Sequence, residues 1–163
     1  MCRPDWDEYF LDIVNIVKRR STCLRRKVGA IAVKCNRIIS TGYNGPHTGA
    51  PHCVEKGGCL RKQKNIASGE KHEICRGIHA EENVIIQAAL YNVSIAHADW
   101  YVTHQPCSIC LRKILNCKPK SLIYLQNYPD DMAEKMLCEN TSSCGLITMG
   151  NYKSVTQWKF YEN

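Results

Sequence analysis

Two short motifs stand at the starts of two predicted helices, and together they limit how this chain can fold. His79-Ala-Glu81 opens an apolar-periodic segment over residues 80–91, and Pro106-Cys107-Ser-Ile-Cys110 opens another that runs to residue 116. The motifs supply one imidazole and two thiolates. Three such ligands leave the fourth position of a tetrahedral zinc open, which is typical of catalytic rather than structural zinc. The fold must therefore bring two helix starts to one point.

Each motif alone is weaker evidence for a catalytic zinc site than the two motifs together. A Cys-x-x-Cys pair also forms redox sites, a lone histidine at a helix start is more often an ordinary polar residue, and the pair could be a closed zinc site that only ties two helices together. Glu81 favours catalysis, because it can reach a water at the open position and carry its proton. The H-x-E and P-C-x-x-C pattern is the signature of zinc nucleobase deaminases. It predicts His79, Cys107 and Cys110 as zinc ligands and Glu81 as the catalytic acid–base.

Cysteine is unusually frequent, at 11 of 163 residues. The chain begins MCRPDWDEYF, which does not resemble a signal peptide, and no run approaches the roughly 18 apolar residues that cross a bilayer. We therefore expect a soluble protein of the cytoplasm (the host cytoplasm if it is viral), without a membrane partner and with reduced thiols. Metal binding then explains some of the cysteines, and the isolated ones are expected to be ordinary thiols: Cys2, Cys35, Cys117, Cys138 and Cys144.

Composition and charge indicate the class of protein but do not distinguish between nucleic acid and free nucleotides as its ligand. Hydrophobic residues make up 44% and charged residues 23%, which indicates a packed domain and excludes a disordered chain. At 163 residues we expect one domain over residues 1–163. The formal net charge of +7 favours anionic ligands, and it fits nucleic acid and free nucleotides equally well.

Helical and extended segments follow one another in the order α-β-β-α-β-α-β-α-β. Apolar periodicity predicts helices over residues 5–20, 80–91, 106–116 and 131–139, and strands over 29–34, 37–42, 99–103, 121–126 and 145–149. This order predicts an α/β fold with three α/β/α layers around a five-stranded mixed sheet. Residues 43–78 form a long loop rich in Gly, Pro and Cys. We expect a tail from about residue 150, packed through Trp158 and Phe160.

Four segments resemble the cytidine-deaminase superfamily and, within it, the deoxycytidylate (dCMP) deaminases. The resemblance covers residues 6 to about 130 and is weak beyond that point. Its segments are Ser21-Thr-Cys-Leu-Arg-Arg-Lys-Val-Gly-Ala30, Thr41-Gly-Tyr-Asn-Gly-Pro46, Gly69-Glu-Lys-His-Glu-Ile-Cys-Arg-Gly-Ile-His-Ala-Glu81 and Tyr101-Val-Thr-His-Gln-Pro-Cys-Ser-Ile-Cys110.

The resemblance implies a zinc-dependent hydrolysis in which dCMP and water give dUMP and ammonia, for thymidylate synthesis. Water would attack C4 of cytosine, while Glu81 would take the proton of the water, protonate N3 and later protonate the leaving amine. The resemblance further implies a homohexamer, activated by dCTP and inhibited by dTTP, with Mg²⁺ accompanying the effector triphosphate. No nucleic-acid partner is expected.

Several residues are candidates for nucleotide contacts. The resemblance places Asn44 beside the substrate sugar, and Tyr43 and Gly45 near the effector site, whereas an asparagine in such a turn can also serve backbone geometry alone. Tyr124 ends a predicted strand, where its ring could stack on the pyrimidine or pack in the core. Arg25 and Arg26 belong to a run of six cations in ten residues, a pattern that is usually a solvated face. They are our candidates for binding a phosphate group, of either the substrate or the effector.

The remaining cysteines suggest a second, structural zinc. Four of them fall in or near the long loop, which has little periodic apolar content of its own. The resemblance matches Cys23 and Cys53 to ligands of a second zinc in some relatives, and Cys59, Cys75 and His72 are candidates for the other two positions. The alternative is a set of unligated thiols.

Two other functions compete with a mononucleotide deaminase. An adenosine deaminase acting on a tRNA anticodon shares the zinc motif and would suit the positive charge. The Cys-Leu-Arg-Arg-Lys-Val-Gly-Ala and Gly-Tyr-Asn-Gly-Pro segments favour the mononucleotide branch. A zinc-stapled nucleic-acid-binding module is disfavoured because it has no use for Glu81.

Overall fold

The computed structural model describes residues 3–149 and 151–160. Its helices are α1 (Trp6–Val17), α2 (Leu60–Gln63), α3 (Ala80–Leu90), α4 (Ser108–Asn116) and α5 (Asp131–Asn140). Its strands are β1 (Gly29–Lys34), β2 (Arg37–Tyr43), β3 (Gly45–Pro46), β4 (Gly77–Ile78), β5 (Asp99–Val102), β6 (Ser121–Tyr124), β7 (Thr141–Met149) and β8 (Tyr152–Phe160). No helix of the described residues combines the length and the apolarity needed to cross a membrane.

The main sheet has six strands in the order β2-β1-β5-β6-β8-β7. Strands β5 and β6 are parallel, and the other neighbours are antiparallel, so the predicted mixed sheet is confirmed. One face packs against α1 through Phe10, Leu11 and Val14. The other face packs against α3, α4 and α5. The three layers leave the starts of α3 and α4 at the same end of the sheet.

The predicted strand count and the predicted tail are both wrong. The segment from residue 152 is a strand, β8, which inserts between β6 and β7 instead of trailing away from the domain. Val155 packs on one face of the sheet and Trp158 and Phe160 on the other, so the segment has no single two-residue apolar period that would predict a strand. The expected packing of Trp158 and Phe160 is nevertheless confirmed, since both side chains lie in the core shared with α3, α4 and α5.

The long segment from residue 43 to 78 contains more structure than its composition predicts. Its two ends pair as the antiparallel strands β3 and β4, with Gly45 opposite Ile78. Between them lie the short helix α2 and two single 3₁₀ turns, Val54–Lys56 and His72–Ile74. The segment thus leaves and re-enters the domain at one place, directly before α3.

The approach of α3 to the sheet depends on Gly42 in β2. A Cβ atom at this position would lie 2.1 Å from the carbonyl oxygen of Ala80 and 2.7 Å from the backbone nitrogen of Val84. Such distances are far inside van der Waals contact, so any larger residue would push the first turn of α3 outwards. Ser40, also on β2, holds the same helix by donating its hydroxyl proton to the carbonyl of Val84 at 2.7 Å.

Candidate active site and metal centre

Three side chains meet where α3 and α4 begin. His79 and Cys107 are the residues immediately before the two helices, and Cys110 lies in the first turn of α4. The Nδ1 atom of His79 is 3.2 Å from the sulfur of Cys110 and 3.5 Å from that of Cys107. All three donor atoms lie within 4.8 Å of one another. Donors around a tetrahedral zinc stand roughly 3.5–3.8 Å apart, given Zn–N and Zn–S bonds of about 2.0–2.3 Å, so these residues fit a zinc ion.

Carboxylates hold the two helix starts in place. Glu82 accepts the backbone N–H of His79 at 3.1 Å, and its other oxygen pairs with Lys113 on α4. Asp130 precedes α5 and accepts the backbone N–H groups of Ser108 at 2.8 Å and of Ala133 at 3.0 Å. The ligand-bearing turn of α4 is therefore tied to both α3 and α5.

The electrostatics of the three ligands favour metal binding. The hydrogen bond between the two thiol groups lowers the pKa of Cys107 and raises the pKa of Cys110. The hydrogen bond to Cys107 raises the pKa of His79. The pair of sulfurs thus carries a negative charge close to neutral pH, which is the form that binds a cation.

Glu81 lies in the first turn of α3 and is 5% exposed. Its burial raises the pKa of the carboxyl to about 7, and the neighbouring His79 offsets part of that rise. The carboxyl group lines the same pocket as His79 and Cys107. A carboxyl group placed in this way can accept and return protons beside the ligands without contact with bulk water.

The pocket is positively charged apart from Glu81. Arg25, Arg26 and Arg61 all line it, and Glu81 is the only acidic lining residue in the part of the chain that the structure describes. One guanidinium nitrogen, NH1, of both Arg25 and Arg26 is buried without a hydrogen-bond partner. The Arg26 guanidinium also stacks on the ring of Tyr128, 5.0 Å from its centroid. The pocket therefore suits an anionic ligand.

Asn44 lines the pocket, but most of its side chain is used within the protein. Its Oδ1 accepts from the Ser21 hydroxyl at 2.6 Å and from the Val28 backbone N–H at 2.8 Å, and its Nδ2 donates to the carbonyl of Arg26 at 2.8 Å. One amide proton remains for a ligand. Gly45 also lines the pocket. Tyr43 lies outside it, 38% exposed, and its carbonyl accepts from Asn83.

Tyr124 does not line the pocket: of its two expected places, stacking on the pyrimidine or packing in the core, the structure shows the second. Its ring is 3% exposed in the core beneath α3 to α5, where its hydroxyl accepts the indole N–H of Trp158 at 3.2 Å. The alternation of β6 turns this side chain inwards. The aromatic residue at the pocket is Tyr128, four positions later.

The second ligand group consists of Cys23, Cys53, Cys59, Cys75 and His72. All five side chains line the pocket. Burial raises the pKa of the Cys53 thiol, and the nearby Cys59, Cys75 and Cys23 add to the rise. Within the part of the chain that the structure describes, however, only His79, Cys107 and Cys110 form a group of three donors within 4.8 Å. The Nδ1 atom of His72 is buried without a partner, and its ring lies edge-on to that of His79 at 5.0 Å.

Sequence reasoning missed several pocket residues. Arg61 stands among Lys62, Lys64 and polar residues, a pattern typical of a solvated surface. His104 precedes the Pro-Cys motif and has no spacing of its own; burial, aided by Arg26 and Lys18, lowers its pKa to about 4. Asp130 does not line the pocket but holds the first turn of α4, and its signal was present, because an aspartate before a predicted helix indicates an N-cap.

Comparison with known proteins agrees with this geometry. Residues 4–126 match the family model described as the cytidine and deoxycytidylate deaminase zinc-binding region. The deoxycytidylate deaminase of Mycobacterium phage D29 is 37% identical over 128 residues, which cover 76% of this chain and 97% of the phage protein. That of Schizosaccharomyces pombe is 38% identical over 129 residues, which cover 79% of this chain. The chain spans only 39% of the length of the yeast protein.

A solved structure supports the same assignment. The dCMP deaminase of the cyanophage S-TIM5, determined in complex with dCMP and dUMP, superimposes with a TM-score of 0.67 at 26% identity. The superposition covers 85% of this chain and 94% of the phage chain. The match of the family model over most of the chain, the phage relative and the three-ligand centre lead to one conclusion: the chain belongs to the zinc-binding family of cytidine and deoxycytidylate deaminases.

Proposed function

We propose that the chain hydrolyses dCMP to dUMP and ammonia and so supplies dUMP for thymidylate synthesis in the cytoplasm, acting as a single domain. The observation that carries the proposal is a buried glutamate beside a three-ligand metal centre, inside a pocket lined by arginines. The relatives named as deoxycytidylate deaminases and the S-TIM5 complex with dCMP and dUMP support the choice of substrate.

His79, Cys107 and Cys110 hold the zinc in this proposal. Zinc with three protein ligands acidifies a water at its open position, to a pKa of about 7 in well-studied enzymes. Glu82 and Asp130 keep the centre rigid, because their carboxylates accept backbone N–H groups at the two helix starts that carry the ligands. A rigid centre allows the water and the C4 atom of the pyrimidine to meet in one geometry.

Glu81 moves the protons. It accepts one proton from the attacking water and passes a proton to N3 of the ring as the C4–O bond forms. It then takes the second proton of the added water from the C4 hydroxyl group and delivers it to the amino group. The amino group leaves as ammonia when the C4–N bond breaks, C4 becomes a carbonyl, and the carboxylate is restored. Its burial keeps these transfers away from bulk solvent.

The arginines select a phosphorylated substrate. The unpartnered N–H groups of Arg25 and Arg26 bind the 5′-phosphate, and the free amide proton of Asn44 contacts the sugar. Charge-assisted hydrogen bonds contribute roughly 1.5–3 kcal/mol each, so the monophosphate is favoured over the nucleoside.

Ammonia release tests the activity. Purified, zinc-loaded protein is assayed with dCMP, dCTP, deoxycytidine and tRNA under one set of conditions. We expect the highest kcat/KM with dCMP. Equal values for dCMP and deoxycytidine would place the chain in the nucleoside branch, and release from tRNA alone would make it a tRNA deaminase.

Regulation by nucleoside triphosphates forms a second part of the proposal. In a homohexamer, dCTP with Mg²⁺ activates and dTTP inhibits, with Tyr43 and Gly45 near the effector. An exposed apolar stretch of α3, consisting of Ile86, Leu90 and the following Tyr91, is available for contacts between copies. Each effector must bind two conformations unequally to act. A hyperbolic dCMP curve that neither triphosphate moves, together with a monomer on sedimentation, would exclude this regulation.

A structural zinc in the second ligand group completes the proposal. Cys23 and Cys53 supply two ligands, and two of Cys59, Cys75 and His72 supply the others. Their common position around one pocket and the mutual effect of the thiols on the pKa of Cys53 support this site. Binding would draw the side chains together and fix the segment that leads into His79.

A further inference from the structure

Arg61 is buried without a counter-charge. It is the second residue of α2, within the segment between β3 and β4, and it is 8% exposed. Its NH2 group donates to the carbonyl of Ala67 at 3.0 Å, while its Nε atom is buried without any partner. The ion pairs found among the described residues are Lys113–Glu82 and Lys120–Asp99, and neither involves Arg61.

A buried guanidinium is costly to the fold unless something compensates its charge. Neutral carbonyl groups such as that of Ala67 satisfy one N–H but not the charge. Arg61 lines the same pocket as Arg25 and Arg26, and the acidic residue of that pocket, Glu81, is committed to the metal centre. Three guanidinium groups from two separate segments therefore line one pocket, and none of them pairs with a carboxylate among the described residues.

We infer that Arg61 binds the 5′-phosphate of the substrate nucleotide and that the segment carrying it, residues 43–78, is a substrate-recognition element. The inference rests on the proposed function. A guanidinium presents a planar set of donors that matches phosphate oxygens, and the unpartnered Nε–H is one of those donors. The phosphate of the bound nucleotide would supply the missing counter-charge. An effector triphosphate offers the same chemistry, so the test must separate the two sources.

Arg61→Gln removes the charge and keeps much of the side-chain length, and Arg61→Lys keeps the charge but not the planar fork. Lys62→Gln is the matched control, since Lys62 is the adjacent residue, is exposed and does not line the pocket. This change also removes one positive charge. Without effectors, we expect Arg61→Gln to lower kcat/KM for dCMP roughly 10- to 100-fold, the equivalent of one charge-assisted hydrogen bond. Activity on deoxycytidine should be unchanged. The kcat/KM of Arg61→Lys for dCMP should fall between those of Arg61→Gln and the wild type. The kcat/KM of Lys62→Gln should equal that of the wild type.

Two results would overturn the inference. A parallel loss on dCMP and deoxycytidine would mean that Arg61 only holds its segment in shape. Unchanged dCMP turnover with a lost response to dCTP would assign Arg61 to the effector.

Calorimetric binding of dUMP and deoxyuridine tests Arg61 even if the wild type deaminates neither substrate. Weaker binding of dUMP, but not of deoxyuridine, by Arg61→Gln would uphold the phosphate contact while the proposed reaction failed. Equal binding of dUMP by wild type and variant would refute it.

Discussion

The metal centre and the second ligand group both consist of cysteine and histidine side chains that line one pocket, yet only in the metal centre do the donor atoms lie close together. At the centre, the donor atoms of His79, Cys107 and Cys110 already lie within 4.8 Å of one another. In the second group, five cysteine and histidine side chains line the pocket, and no three of the described donors reach that spacing. The chemistry of the residues alone does not create a binding geometry.

The difference lies in the backbone that carries each group. The centre sits on two helix starts that pack on the main sheet and are capped by Glu82 and Asp130. The second group sits mostly on a segment of single turns and a four-residue helix, joined at its ends by two residue pairs. Protein contacts preorganise the first site, whereas a metal in the proposed second site would have to bring its ligands together.

The largest expected effect comes from removing the proton carrier and leaving the centre intact. Glu81→Gln should keep zinc and lower kcat roughly 10²- to 10⁴-fold, because a positioned acid–base typically contributes that much. Glu82→Gln, the same change one residue later, weakens a cap and an exposed ion pair and should cost less than about 10-fold. Metal analysis and steady-state kinetics check both. Retention of a tenth of the wild-type rate by Glu81→Gln would contradict its assigned role.

Removing one ligand from each group tests the comparison directly. Cys107→Ala should lose the catalytic zinc and all measurable activity, but its helices should stay in place because protein contacts hold them. Cys53→Ser should keep the catalytic zinc, reduce the metal content from about two ions per chain to about one, and expose residues 43–78 to proteolysis.

The exposed Cys35→Ser serves as the control and should change neither metal content nor proteolysis. One zinc per chain in the wild type, with Cys53 freely alkylated in the folded protein, would leave the second group as ordinary thiols.

The smallest expected effect comes from adding a single methyl group at Gly42, which tests how closely α3 must approach the sheet. Gly42→Ala places a Cβ atom against the backbone of Ala80 and should lower the free energy of unfolding by about 1–3 kcal/mol, with weaker zinc binding as α3 moves. At Gly145 a Cβ atom meets nothing within 4 Å, so Gly145→Ala should stay within about 0.5 kcal/mol of the wild type. Denaturant unfolding with and without a chelator measures both. Equal stability of the two variants would refute the close approach.

The sequence predicted the fold well wherever periodicity was strong. The helices from Ala80, Ser108 and Asp131 and the strands β1, β5 and β6 lie within about three residues of their predicted bounds. The prediction failed at β8, because Val155 faces one side of the sheet and Trp158 and Phe160 face the other, so their spacing does not follow a two-residue period. The position of β8 between β6 and β7 depends on tertiary packing, which no local pattern encodes.

The candidate site divides in the same way. The spacing of His79, Glu81, Cys107 and Cys110 predicted a cluster because each motif lies at a helix start, and the structure brings these residues together. Arg61 lies on the four-residue helix α2 and Tyr128 on irregular backbone after β6, and the course of neither segment can be deduced from composition. The sequence left the place of Tyr124 open because both faces of β6 are buried, with Ile123 on the side of α1 and Tyr124 on the side of α3 to α5.

Asp130 has a consequence for where the working unit of this chain ends. The family match stops at residue 126, but the carboxylate that fixes the first turn of α4 lies four residues later and also starts α5. A chain shortened at residue 126 would retain every zinc ligand and Glu81. It would nevertheless lose Asp130, which caps the first turn of α4, and it would expose the edge of β6 with which β8 pairs. We expect such a fragment to aggregate through that edge, so the boundary drawn by similarity is not the boundary at which this enzyme fold can be cut.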